Sequence, residues 1–397
     1  MIIGVVKETF PGERRVALIP ASLPVLIKAG FAVRIEAGAG AAAGIADRDY
    51  QAKGGTIVNE RAEVIRTADL LCQVRTPSAN PHEGQADLAL LRADQTIIGL
   101  AEPLSDPAPI QALAATGVRA FAMELIPRIT KAQSMDVLSS QATVSGYKAV
   151  LLAAQLLPRM FPMMMTAAGT IAPVRVFVVG AGVAGLQAIA SARRMGAIVQ
   201  AYDIRPAVKE QVESIGARFL QIELETADSE DKGGYAKAMD ETFYRKQREL
   251  MAKAIAQSDV VIATAAVPGG RPPLLITAEM VQSMNPGSVI IDLAAKPAFK
   301  GGNCELTAPD ETLTSGSGVT ILGPTNLAAT VPQTASQMFA MNMTTFILHI
   351  VKDGKLVLDT ADEITNQTLL SQGGEIVNAR VRGLFKLPAL QSVSVPT

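Results

Sequence analysis

The residues Gly180-Ala181-Gly182-Val183-Ala184-Gly185 stand where an apolar run, Val176-Phe177-Val178-Val179, gives way to a helix-like stretch from Leu186 to Met195. The spacing is G-x-G-x-x-G. In a strand-to-helix turn, Gly180 permits the sharp reversal, Gly182 lets the backbone approach a pyrophosphate, and Gly185 lets the helix pack on the sheet. The helix start then offers unpaired N–H groups to the phosphates, with Ala181 and Val183 beside them. Three glycines alone are a weak signal. Here a second apolar run, Ile198-Val199-Gln200-Ala201-Tyr202, ends in Asp203. That acid lies roughly 20 residues beyond Gly180, the spacing expected of a carboxylate that accepts from ribose hydroxyls. The unit reads as a dinucleotide site, against the alternative of a glycine-rich turn that binds nothing. Asp203 favours NAD over NADP, because a 2′-phosphate would meet a carboxylate. Arg205 could accommodate such a phosphate or simply pair with a nearby acid; the strand-end position of Asp203 carries more weight.

Most dehydrogenases need a general acid/base, because hydride leaves carbon as a proton leaves oxygen or nitrogen. This chain has two histidines, His82 in a turn after Asn80-Pro81 and His349 in the apolar run Phe346-Ile347-Leu348-His349-Ile350-Val351. Both read as structural, although lysine or tyrosine could still serve as a base. Hydride transfer between two nicotinamide rings has no such requirement. It needs one ring held at the right distance and angle, and positioning of that kind lowers a barrier by ~7–11 kcal/mol. A polar cluster suited to orienting a ring is Arg128, Gln133, Asp136 and Ser139. Asp136 and Ser139 are three apart and share a face at a helix start. Asp136 reads equally well as a plain N-cap.

The elements that must position these residues follow from the apolar pattern. Strands are expected over 2–6, 33–36, 70–74, 96–100 and 119–123, with helical stretches such as 21–29 and 107–115 between them. A second series runs over 174–179, 198–202, 259–263, 288–292 and 319–322. The alternation predicts an α/β protein with two Rossmann-like, doubly wound parallel-sheet domains. Two long helices, roughly 136–157 and 333–351, link them, and the first is rich in small residues that permit close packing (Ser139, Ser140, Ala142, Ser145, Gly146). The expected boundaries are 1–135 with 330–397 for a discontinuous first domain, and 136–329 for the nucleotide-binding one. Residues 223–250 are dense in charge. They read as a lid hinged at Gly233-Gly234, or as a solvated helical face over their second half, and both can hold together.

The bulk properties exclude several classes. With 36 basic and 37 acidic residues, a net charge of −1 argues against a nucleic-acid partner. Two cysteines, Cys72 in an apolar strand and Cys304, rule out a disulfide framework, and no metal-ligand spacing occurs. The start Met1-Ile2-Ile3-Gly4 lacks the layout of a signal peptide, and no uninterrupted apolar run is long enough to span a bilayer. A cytosolic chain is expected, with any membrane spans supplied by other chains.

At several of these residues the chain resembles a known family. Ile126-Pro127-Arg128 through Gln133-Ser134-Met135-Asp136-Val137-Leu138-Ser139-Ser140-Gln141 is similar to the nicotinamide-contacting motif of domain I of proton-translocating nicotinamide nucleotide transhydrogenases. The opening Lys7-Glu8-Thr9, Glu13 to Pro20, Gly180 to Gly185, Tyr202-Asp203-Ile204-Arg205, Asp292-Leu293-Ala294-Ala295 and Gly301 to Glu305 match as well. The charged segment around Gly234-Tyr235-Ala236-Lys237 corresponds to the family's mobile loop. The resemblance covers nearly the whole chain. It implies an oxidoreductase and translocase component, Re/Si-specific, that binds NAD(H) as a homodimer. It would pass hydride to NADP(H) on a beta subunit, with a membrane-spanning subunit coupling this to protons. The chain would lie peripherally on the cytoplasmic face of the inner membrane. Carried over by position, Arg128, Asp136 and Ser139 hold the nicotinamide carboxamide, with Val137 and Leu138 beside them. Gln133 reaches towards the NADP(H) domain. Gly234 and Tyr235 close over the cofactor, Asp203, Ile204 and Arg205 meet the adenosine ribose, and Thr264-Ala265 line the pocket.

Alanine dehydrogenases share this fold and resemble the chain at Arg15. Their catalytic lysine falls in the motif that reads Val74-Arg75-Thr76-Pro77 here, with Arg75 in its place. Their catalytic histidine is missing from Gly99-Leu100-Ala101-Glu102-Pro103. A catalytically inert NAD-sensing module is a further alternative, which the intact orienting cluster and the lid segment argue against.

Overall fold

The computed structural model describes residues 1–221, 241–267, 269–352 and 354–388, with the side chains at 241, 242 and 244 left aside. The chain divides into two compact units, residues 1–141 with 328–397, and residues 142–327. The 20-residue helix Val137–Leu156 carries the chain out of the first unit, and it returns through the 3₁₀ turn Leu327–Thr330. The 19-residue helix Pro332–Ile350 follows within the first unit.

In the first unit, β1 (Ile2–Val5), β2 (Ala32–Glu36), β3 (Thr56–Val58), β4 (Leu70–Arg75), β5 (Thr96–Leu100) and β6 (Arg119–Ala122) pair in parallel in the order β3-β2-β1-β4-β5-β6. In the second unit, a hairpin of β7 (Met164–Thr166) and β8 (Gly169–Ile171) precedes β9 (Arg175–Val179). Then come β10 (Ile198–Tyr202), β11 (Arg218–Phe219), β12 (Val260–Ala263), β13 (Val289–Asp292), β14 (Thr312–Thr314) and β15 (Thr320–Leu322). Their order is β11-β10-β9-β12-β13-β15-β14, parallel except for β14 at the edge. A small hairpin, β16 (Val351–Lys352) with β17 (Lys355–Leu356), follows the helix Pro332–Ile350. From the tail, β18 (Leu369–Gln372) and β19 (Glu375–Ile376) add antiparallel strands beside β6. The chain is thus an α/β protein with two doubly wound parallel sheets of matching strand order.

Alternation within each strand explains the layering. In β4, Leu70, Cys72 and Val74 enter one core and Leu71 the other. In β9, Val176 and Val178 face one side, Phe177 and Val179 the opposite side. Each such burial stabilises by roughly 1.5–3 kcal/mol. An exposed ion pair such as Arg119–Asp94 contributes about 0–1 kcal/mol, so burial holds the sheets.

The charge-dense segment is helical over its second half. Residues 241–250 belong to the helix Glu241–Ala256, so the loop expected over 223–250 is shorter than that range. Phe243, Gln247, Met251 and Ile255 recur every fourth residue and form its buried face, which selects helix over lid there. Gly233, Gly234 and Tyr235 lie outside the described residues.

Candidate functional site

In the second unit, β9 and β12 are neighbours, and the chain leaves them in opposite directions along the sheet. Ligands bind at this switch point in doubly wound folds. Three glycines shape it in three ways. Gly180 has φ +95, and a Cβ there would lie 2.7 Å from Thr264 Oγ1. A Cβ on Gly185 would lie 1.9 Å from the Gly180 carbonyl oxygen, so only hydrogen fits between helix and turn. Gly182 differs: its Cβ position faces open space, with Arg205 Nη2 the one described atom within reach, at 4.0 Å. This is the cradle that a close-approaching pyrophosphate requires, and it opens at the start of the 12-residue helix Val183–Arg194, where no side chain caps the N–H groups. The helix starts earlier than the sequence pattern suggested, at Val183 rather than Leu186. Gly146, in the helix Val137–Leu156, packs so closely on this start that a Cβ would lie 2.1 Å from the Ala184 carbonyl oxygen.

Asp203 follows β10 and is 9 % exposed. Its carboxylate accepts from the Ala181 N–H at 2.7 Å and from the Arg205 N–H at 2.9 Å. Arg205 also grips it through Nε and Nη2, each at 2.9 Å. Of the two readings of Arg205, pairing with a nearby acid is the one adopted, and the acid is Asp203 itself. Ala181 is buried and its N–H is engaged by Asp203, while Ile204 is half-buried beside the pair.

Thr264 follows β12 and donates its hydroxyl to the Gly180 carbonyl at 2.8 Å, tying the two strand ends together. Ala265 is held in turn by Asn303, a fully buried side chain. Asn303 Oδ1 accepts from the Ala265 N–H at 3.0 Å, and Nδ2 donates to the carbonyls of Ala265 and Pro273, both at 2.9 Å. Asp292 anchors that loop: it accepts from the Ala294 and Cys304 N–H groups and from Thr307 Oγ1 at 2.8–3.0 Å. Burial nevertheless pushes its carboxyl up from the ordinary carboxylate range.

The orienting cluster belongs to the first unit. Asp136 Oδ1 accepts from the Ser139 N–H at 2.9 Å, and Oδ2 accepts from Ser139 Oγ at 2.6 Å. Asp136 therefore caps the helix Val137–Leu156 and fixes the Ser139 hydroxyl at once. Arg128, Gln133 and Leu138 are exposed, whereas the Val137 side chain is buried in the core, leaving its backbone as the part that could meet a ligand. Asn342 supports the segment by donating to the Ser134 carbonyl at 2.8 Å.

Family models for the "Alanine dehydrogenase/PNT, N-terminal domain" and "Alanine dehydrogenase/PNT, C-terminal domain" match residues 4–145 and 149–379. The chain belongs to the alanine dehydrogenase/PNT family. It is 44 % identical over 386 residues to an NAD(P) transhydrogenase subunit alpha chain of Rhodospirillum rubrum, covering 96 % of this chain and 99 % of that one. A solved transhydrogenase from Sinorhizobium meliloti matches with a TM-score of 0.83 and 43 % identity, covering 95 % of this chain and all of that one. A solved L-alanine dehydrogenase matches with a TM-score of 0.79 but 27 % identity, covering 97 % and 99 %.

Within the alanine dehydrogenase/PNT family, this member's departures from alanine dehydrogenase have a structural counterpart. Arg75 pairs with Glu102 at 2.8 Å and with Glu13 at 3.4 Å, and its guanidinium lies 4.1 Å from the Phe10 ring centroid. Glu13 also forks onto Arg15, at 2.6 and 2.7 Å. His82 sits edge-on to Phe10, and His349 bonds Asp362 at 2.7 Å. Both histidines have protein partners of a structural kind. No group of histidine, cysteine or carboxylate side chains suited to a metal occurs among the described residues. Residues that the sequence pattern did not single out for the site are Thr307 and Asn342. Asn303 and Asp292 stood in a matching motif without a role; a buried Asn flanked by Gly302 was the available signal.

Proposed function

We propose that this chain is the NAD(H)-binding component of a proton-translocating transhydrogenase, and that it passes hydride from NADH to NADP⁺ held on a partner subunit. The observation that carries the reading is the open face of Gly182 beside Asp203 at the switch point of the second sheet. The kinship with chains named transhydrogenase subunit alpha supports it. When bound, NADH supplies the hydride, which leaves with both electrons of the C–H bond and joins the second nicotinamide ring without a proton moving at either carbon. The protein's role is to bind and orient. The glycine turn and the helix start take the pyrophosphate, Asp203 and Ile204 take the adenosine ribose, and Thr264 and Ala265 line the pocket. Arg128, Asp136 and Ser139 hold the carboxamide, and Gln133 meets the NADP(H) partner. Gly234 and Tyr235 close over the cofactor.

No helix among the described residues is long and apolar enough to cross a membrane. In this reading a membrane-spanning partner couples the transfer to protons, and the chain sits on the cytoplasmic face of the inner membrane. The chain also works as a homodimer. The hairpin β7–β8 supports that assembly, since it presents Met163, Met165 and Ile171 to solvent, with Met165 78 % exposed. A second copy would cover such an apolar tip.

The test is a soluble exchange assay. The chain mixed with the NADP(H)-binding partner domain should transfer hydride between an NADH analogue and NADP(H). An alanine dehydrogenase would instead reduce NAD with L-alanine and no partner, and an inert sensor would bind NADH and do neither. Either of those two outcomes would refute the proposal.

A further inference from the structure

The Asp203 carboxylate takes four hydrogen bonds, two on each oxygen. Oδ1 accepts from the backbone N–H and Nε of Arg205, and Oδ2 accepts from the Ala181 N–H and Arg205 Nη2, all at 2.7–2.9 Å. A carboxylate has about four lone-pair sites, so a ribose hydroxyl can be accepted only if one of these bonds yields. Both side chains are nearly enclosed, with 6 % of Asp203 and 12 % of Arg205 exposed. The same guanidinium stands at the mouth of the glycine turn, because Nη2 is the described atom nearest the open face of Gly182. One cation is therefore shared between the carboxylate and the place where a nucleotide's phosphates would lie.

We propose that Asp203 and Arg205 form the element that selects NAD(H) against NADP(H), with Arg205 a latent seat for the 2′-phosphate that Asp203 keeps masked. A 2′-phosphate near neutral pH carries more than one negative charge, and a planar guanidinium binds such a group through paired N–H donors. With Asp203 in place, the incoming phosphate meets a carboxylate and must break a two-pronged ion pair to reach Arg205. Removing the Asp203 charge strips the guanidinium of that counter-ion, and the phosphate becomes its replacement. In a protein that must keep two nucleotides of nearly identical shape on separate subunits, discrimination has to rest on the 2′ position. The inference builds on the proposed NAD(H) site.

Titration calorimetry on the full chain tests it, with NADH, NADPH and 2′,5′-ADP as probes. Asp203→Asn should weaken NADH by about tenfold and strengthen NADPH and 2′,5′-ADP by at least about tenfold, one charge-assisted bond's worth. Adding Arg205→Ala should abolish the gain for both phosphorylated probes. Arg205→Ala alone, which keeps Asp203, should hold NADH affinity within about threefold and still reject NADPH. Asp203→Ser serves as a second substitution should the asparagine variant fold poorly. The proposal is overturned if the double variant binds NADPH as well as the single one. It is equally overturned if Asp203→Asn leaves NADPH binding unchanged, or if Arg205→Ala alone weakens NADH more than tenfold. Failure of the unaltered chain to bind NADH would instead refute the nucleotide site itself, and is read separately.

Discussion

In the second sheet, β9 runs into Gly180 and the next open surface is Gly182. In the first sheet, β1 runs into Val6-Lys7-Glu8, and the matching switch point beside β4 is filled by the protein's own side chains. Glu8 accepts from the Val74 N–H at 2.6 Å and from the Arg75 N–H at 3.2 Å, in the place where a ligand's anion would otherwise meet the strand ends. Glu13, Arg15 and Arg75 close an ion-pair network beside it. The strand order is the same on both sides of the comparison. Topology therefore supplies a crevice twice, and a few residues after the first strand decide whether it can admit a dinucleotide.

The comparison breaks most visibly at Gly185. Gly185→Ala drives a methyl to within 1.9 Å of the Gly180 carbonyl. The expected cost is several kcal/mol, roughly 3 or more, because backbone has to move. Hydrogen exchange should show β9, β10 and β12 losing protection while the first sheet keeps its own. Equal loss in both sheets would mean that the turn does not control one unit alone. Gly182→Ala separates binding from folding. Its Cβ enters open space, so thermal stability should hold within about 1 kcal/mol. NADH affinity should nevertheless fall by about tenfold to a hundredfold, because the pyrophosphate loses its close approach. Calorimetry together with a melting curve reads both.

The first switch point gives a pH signature. Burial and the neighbouring Glu13 carboxylate push the Glu8 carboxyl up from 4.5 to about 8. The folded chain thus keeps a proton that the unfolded chain has released, so the stability this confers is complete below about 4.5 and fades as pH rises through about 8. Glu8→Gln should flatten that decline between these limits in urea titrations, and an unaltered slope would remove Glu8 as its source. The smallest effect is expected at Ser139. Ser139→Ala removes the hydroxyl that Asp136 fixes, which should slow single-turnover hydride transfer about tenfold or less while NADH affinity changes little.

The second switch point was legible in the sequence because backbone conformation dictates its residue types. Gly180 must adopt φ +95 and Gly185 must carry no Cβ, so the glycines announce themselves. Asp136 was legible as a cap for the same reason: a short acceptor three residues before Ser139 reaches the Ser139 N–H. The apolar runs named the parallel strands, but not the short β3, β11 and β14, whose two or three residues carry too little pattern. What the sequence left open depended on distant partners. Asn303 meets Ala265 across 38 residues, and nothing local in either predicts the other. Arg205 had two plausible partners, and only the fold brought its fork onto Asp203 at 2.9 Å.

The central claim is that one of two equally ordered sheets holds a dinucleotide. Titration of the chain with NADH, followed by hydrogen exchange of the saturated complex, tests it most directly. The account predicts a single site per chain, with new protection at 180–185 and 203–205 and none at 6–13. Two sites per chain, or protection centred on Glu8 and Glu13, would contradict it.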